Sequence, residues 1–224
     1  MNPLYILLVL PGLLAWWAQA KVRHVYEEYG GRQNALGVTG LEVARRLLAH
    51  HGLTDVTIDR TEGHLTDHFD PQKGMIHLTD GVANTTSITA MGIAAHEVAH
   101  AVQEAEGHHL TRLRTALGRW VERGMQVSSL AFVGGMLFRI PFLQVVAGAL
   151  LALFALFSLV TLPVELHASR TAITALEASG LANADDRQGV KRVLRSAALT
   201  YLTGLGRQMS NFLFFVAAVG AARG

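Results

Sequence analysis

Four stretches of the chain are almost free of charge, and more polar segments separate them. The first, Asn2 to Ala20, carries no charged side chain, and about 20 apolar residues suffice for a helix to cross a hydrocarbon core of ~30 Å. Pro11 and Gly12 would kink it in the middle. A cleaved signal peptide is the competing reading, because Ala18, Gln19 and Ala20 form an A-x-A-like site. Against it, no Lys or Arg precedes the stretch, and Trp16 and Trp17 suit the interfacial belt of a retained helix. From Gly124 to Val164 only Arg139 is charged, and Pro141 follows closely. This predicts a helical hairpin, with arms at about 124–139 and 142–162 and the first arm starting near Leu117 to gain length. Gly148 and Ala152 give the second arm a small-residue surface for close packing. The fourth stretch, Ala197 to Ala222, is interrupted by Arg207. The pattern therefore predicts about four transmembrane helices.

The polar region from Lys21 to Arg123 holds ten of the eleven histidines. Thr39 and Glu42 form a capping box, Leu41, Ala44, Leu47 and Leu48 make an apolar stripe, and Gly52 stands where a helix ends. Asp55 to Arg60 alternates like a short strand, and Met75 to Leu78 is a second strand after the turn residues Asp70 and Pro71. A helix from about Ser87 to about Glu106 follows, stopped by Gly107. The strand just before it could offer its edge to an extended peptide. Glu165 to Ser179 is helical in pattern, residues 181–188 form a polar loop, and a basic helix leads into the last apolar stretch.

Composition agrees with a membrane class: half of the 224 residues are hydrophobic and the mean hydropathy is positive. With no cysteine, disulfides, thiolate ligands and a cysteine nucleophile are excluded, so any metal must rest on His and carboxylate. The net charge of +2 is small and the basic residues lack aromatic interleaving, so no nucleic-acid partner is expected. Eleven Lys and Arg fall in residues 20–124 and five in 163–198. By the positive-inside rule both segments belong in the cytoplasm.

The helix after the second strand carries the chemistry. Ala94 to Gln103 reads AAHEVAHAVQ, with His96, Glu97 and His100 as H-E-x-x-H. Residues four apart share a helix face, so both imidazoles can grip one Zn²⁺, while Glu97 can take a proton from a water whose pKa the metal lowers. The flanking residues are apolar nearly all round, which predicts a buried helix whose polar groups need partners. A catalytic zinc needs a third protein ligand. A metzincin site is excluded, because Gln103 and Glu106 stand where its glycine and histidine would be. His108 and His109 read as solvated loop residues. Glu165 is either the third ligand or a helix-start glutamate favoured by the macrodipole, and periodicity does not choose between them.

Together with AAHEVAHAVQ, the segments Leu65 to Pro71 (LTDHFDP), Leu162 to Arg170 (LPVELHASR) and Ala197 to Tyr201 (AALTY) resemble the YugP-type membrane zinc metallopeptidases, the bacterial neutral zinc proteases. The resemblance covers nearly the whole chain. It implies one catalytic zinc held by a gluzincin-like set of His96, His100 and Glu165, with Glu97 as general base. Glu165 to Ser169 is also similar to the Glu-x-x-Ala-Asp segment of the CAAX-prenyl and heat-shock membrane metalloproteases, whose sites face the cytoplasm. His167 stands where family members often carry Asp or Asn. Two residues from Glu165, it does not share that residue's face, so it is an accessory candidate and not a ligand. His68, beside Asp67, is a candidate for oxyanion stabilisation or substrate positioning, or else structures its loop.

The expectation is thus a mainly α, polytopic membrane protein with a small α+β, zincin-like cytoplasmic domain in the inner membrane. Its segments are a first span at 1–20, a catalytic domain at 21–123, a hairpin of spans at 124–162, cytoplasmic helices at 163–196 and a last span at 197–224. Its partners would be the lipid bilayer and peptide or membrane-protein substrates. A non-catalytic scaffold with a structural metal is the alternative, and it needs a fourth protein ligand such as His68 or His167. A histidine-rich metal transporter fits less well, because the apolar stretches lack the acidic and histidine residues of an ion relay.

Overall fold

The computed structural model describes residues 3–63 and 66–221. Asn2, His64, Leu65 and residues 222–224 lie outside the described residues, as do the side chains of Arg119, Glu122, Arg123 and Arg207. The chain divides into two compact units. One comprises Ala20–Thr111 and Val164–Ala198, the other Met1–Gln19, Arg112–Pro163 and Leu199–Gly224.

Among the described residues, seven helices and three strands follow in the order α1 (Pro3–Gly30), α2 (Gly40–His50), β1 (Thr57–Thr61), β2 (His68–Asp70), β3 (Met75–Thr79), α3 (Asp80–Ala83), α4 (Ile88–Ala105), α5 (His109–Leu137), α6 (Pro141–Ala178) and α7 (Ala184–Ala221). In the first unit, α2 starts where expected: the Thr39 side chain accepts from the Glu42 N–H at 3.3 Å. It ends in a Schellman turn at Gly52, whose φ of 68° suits a residue without Cβ. Its stripe of Val43, Ala44, Leu47 and Leu48 is buried with Met91, Ala94 and Val98 of α4, Ala172 and Leu176 of α6, and Val190 and Val193 of α7. That cluster is the core against which the chemistry-bearing helix is held.

The sheet is ordered β1-β3-β2. β1 runs parallel to β3 and β2 antiparallel, with His68 opposite His77. β3, the strand before the H-E-x-x-H helix, is thus paired on both sides, so its edge is not open to an added peptide strand. The free edges belong to β1 and β2. β2 was not visible in the sequence, because three residues are too few for alternation to register.

The expectation of about four transmembrane helices is not met. Among the described residues one helix, α6, is long and apolar enough to cross a membrane, and only 22% of its apolar window is buried. The apolar stretches do not stand as separate elements. The one at 124–137 is the end of α5, whose earlier turns contain Arg112, Arg114, Arg119, Glu122 and Arg123. The last continues a helix that begins among Asp185, Asp186, Arg187, Lys191, Arg192 and Arg195, and Arg207, Gln208, Ser210 and Asn211 break its apolar run. The first shares α1 with Lys21, Arg23, Glu27 and Glu28. Charge-free runs thus marked where helices become apolar, not where each crosses a bilayer.

Two boundaries also move. α6 continues through Pro163, so the third apolar arm and the Glu165 segment are one helix. The turn before it is tight, with Arg139 at φ 51° and Pro141 in the first helical position. In the second unit, Ala131, Ala147 and Phe215 form a small apolar cluster. A Cβ on Gly148 would come within 2.6 Å of the Phe215 ring, which gives that glycine its packing role.

Candidate metal centre

The site lies entirely within the first unit, on α4 and the second part of α6. α4 is fixed at both ends by its own sequence. The Ser87 hydroxyl accepts from the Ala90 N–H at 3.1 Å, and a Schellman turn at Gly107 closes it, the His108 N–H donating to the Gln103 carbonyl at 3.0 Å. Between these caps His96 and His100 stand one turn apart, ring centroids 4.7 Å apart and nearly perpendicular.

The carboxylate comes from α6. Glu165 Oε2 lies 3.1 Å from His96 Nε2 and 3.6 Å from His100 Nε2. One ligand atom from each of the three residues lies within 4.8 Å of the others. Glu165 is 2% exposed and sits well inside a helix that begins at Pro141, so the helix-start reading of this residue falls away. Two imidazole nitrogens and a buried carboxylate form the donor set that zinc accepts when three protein ligands leave one position open. The residues fit such an ion.

Glu97 is buried beside this cluster. Burial pushes its carboxyl above the ordinary glutamate range, the imidazoles of His96 and His100 pull it back, and the charges of Glu165 and Asp67 push it up again. Tyr26 of α1 shares this environment: burial, followed by the charges of Glu97 and Asp67, raises its phenol to about 12. Tyr26 therefore stays protonated and able to donate. Nothing in its sequence context marked it.

The two accessory candidates fall differently. Asp67 structures its loop, accepting from the Thr79 N–H at 2.7 Å and from the Thr79 hydroxyl. His68 is exposed, its Nδ1 2.8 Å from the Thr66 carbonyl and its ring stacked on His77. Neither His68 nor His167 belongs to the ligand grouping. His167 stacks on His108 with centroids 4.9 Å apart, and its Nδ1 lies 2.9 Å from Nε2 of Gln103. His108, read from sequence as solvated, is half-buried.

Gln103 is the residue that sequence reasoning passed over. It is fully buried, its Oε1 lies 3.0 Å from His100 Nδ1, and its Nε2 donates to the Val164 carbonyl at 3.1 Å. The signal was a lone amide three residues after the second histidine, on the same face of an otherwise apolar helix.

Comparison with known proteins gives a consistent picture. Residues 4–220 match the model of a family described as "Putative neutral zinc metallopeptidase". A relative from Bacillus subtilis (strain 168), the "Putative membrane protease YugP", is 37% identical over 214 residues, which is 95% of each chain. No solved structure matches the chain.

Proposed function

Since the chain belongs to this neutral zinc metallopeptidase family, we propose that it is a membrane-attached zinc endopeptidase whose active site is the His96, His100 and Glu165 cluster. The observation that carries this reading is the convergence of those three ligand atoms within 4.8 Å, with a buried carboxyl beside them. Zinc held there supplies Lewis acidity at the scissile carbonyl and lowers the pKa of water towards about 7. Every other role falls to the chain's own groups.

Glu97 accepts a proton from the attacking water and delivers it to the leaving amine. Its burial makes it a better base than an exposed glutamate, because the same environment that disfavours its charge favours its holding a proton. The low-dielectric surroundings of α4 keep that transfer away from bulk solvent. His68, exposed on the edge strand β2, is proposed to meet substrate rather than metal, and His167 acts behind the ligands through Gln103. The scaffold alternative needs a fourth protein ligand, whereas among the described residues the grouping contains three.

α6 attaches the enzyme to the bilayer. Its apolar part is followed by Glu165 and then by Arg170, Arg187, Lys191, Arg192 and Arg195, whereas Arg139 alone stands close before it. This asymmetry favours a cytoplasmic site. Substrates are peptides or segments of membrane proteins that reach that surface.

The test uses the full chain in detergent. Wild type is expected to bind one zinc and to cleave an unfolded polypeptide, and Glu97→Gln to keep the zinc while hydrolysis falls roughly 10²–10⁴-fold. A Glu97→Gln protein cleaving at the wild-type rate would refute the base assignment, and loss of zinc in that variant would move Glu97 among the ligands.

A further inference from the structure

The amide of Gln103 has only one possible orientation. The Val164 carbonyl can only accept, so the group 3.1 Å from it must be the amide nitrogen. The amide oxygen then faces His100 Nδ1 at 3.0 Å, and because that oxygen can only accept, Nδ1 must carry the hydrogen. A neutral imidazole protonated at Nδ1 has a bare Nε2. Nε2 is the atom that points into the cluster, 3.6 Å from Glu165 Oε2. The second amide hydrogen of Gln103 lies towards His167 Nδ1 at 2.9 Å, and that ring is braced by its stack on His108. The contacts with His100 and Val164 are buried, and Gln103 itself is 0% exposed.

One side chain thus connects both ligand-bearing helices. On α4 it selects which nitrogen of His100 has a free lone pair. On α6 it holds the backbone at the residue immediately before Glu165. We propose that Gln103 is a positioning residue of the metal centre: it locks His100 in the Nδ1–H tautomer and docks α6 so that Glu165 meets the two imidazoles. This rests on the reading that His96, His100 and Glu165 bind zinc. A hydrogen bond from the non-ligating nitrogen of a metal histidine fixes ring and tautomer, and its loss typically weakens metal binding 10–100-fold.

Two variants of the full-length protein in detergent separate positioning from bulk packing. Gln103→Met keeps the volume and removes both polar atoms. Gln103→Glu keeps an oxygen able to accept from His100. Zinc affinity is measured by competition with a chromophoric chelator, and melting of the chelated proteins reports folding. Gln103→Met is expected to bind zinc roughly 10–100-fold more weakly, and Gln103→Glu, which can accept from His100 but cannot donate to the Val164 carbonyl, to recover only part of that loss. A merely structural glutamine would lower the melting temperature of both variants and leave the affinities alike.

Equal affinity in wild type and Gln103→Met overturns the proposal, and no recovery in Gln103→Glu overturns the tautomer lock. If Gln103→Met does not fold, the tautomer decides it on the wild-type chain. Long-range ¹H–¹⁵N correlations of ¹⁵N-histidine-labelled, chelated protein, assigned with His100→Gln, are expected to show His100 protonated at Nδ1. Protonation at Nε2 instead overturns the proposal. Wild type that binds no zinc would defeat the metal-site reading, whereas zinc-binding wild type with an indifferent Gln103→Met defeats only the role of Gln103.

Discussion

Glu97 pays for its place beside the cluster in the metal-free protein. Its folded-state pKa is raised, so its contribution to stability is fully present below the unfolded value and is lost as pH rises through the raised folded value. Chelated wild type is therefore expected to melt below chelated Glu97→Gln at about pH 8, with the two converging near pH 4. Thermal melts across that range check this, and a wild type that is the more stable at pH 8 would show that its carboxylate is well solvated or paired there. His96, Glu97 and His100 were legible in the sequence because helical spacing alone puts both imidazoles on one face. Periodicity left the other half of the cluster open and only the resemblance of the LPVELHASR segment implied it, since the meeting of Glu165 with them depends on how α6 packs against α4. Gln103 was hidden for a related reason: its worth lies in two partners, His100 and Val164, and only one of them is a sequence neighbour.

Helix ends were the most legible elements. Gly52, Gly107 and Gly180 each adopt a φ of 68° and close α2, α4 and α6 in Schellman turns, so the chain announces these stops in residues that permit a left-handed backbone. Pro163 marks no such stop, since α6 continues through it. Proline disfavours the preceding helical turn, but a helix can run through it when its surroundings satisfy the freed carbonyl, and α6 does. Packing between elements gives a sharper prediction. A Cβ on Gly189 of α7 would meet Ile88 at 2.8 Å and the Tyr29 ring at 2.9 Å, whereas one on Gly204 of the same helix meets nothing within 4 Å. Gly189→Ala is expected to destabilise by about 1–3 kcal/mol through overpacking. Gly204→Ala should be neutral or stabilising, because alanine is the better helix former. Chemical denaturation of both variants reads this contrast, and equal effects would show that α7 can shift to admit the methyl group.

For the molecule as a whole, the proposed membrane attachment rests on α6, the one helix among the described residues long and apolar enough to cross a membrane. Leu156 and Leu159 project from it and are exposed, as expected of side chains that face lipid. An arginine at the centre of a span costs roughly 2.5–3.5 kcal/mol on insertion scales, so Leu156→Arg is expected to weaken retention in the membrane fraction after alkaline extraction. Wild type that leaves the membrane under the same treatment would overturn the attachment by α6. The mainly helical character was legible in the pattern of apolar positions, but the number of spans was not. A charge-free run records local polarity, and only the assembled helix shows whether its neighbouring turns are charged. α6 also leaves no slack between Glu165 and the turns that bury Ala172 and Leu176 in the core, because no loop intervenes between them. Loops absorb length changes cheaply, but one residue added to a helix advances everything beyond it by 1.5 Å and swings it by about 100°. Along α6 the spacing is therefore counted as on a ratchet. An alanine inserted between Glu165 and Ala172 would turn the carboxylate off its bearing as surely as replacing it.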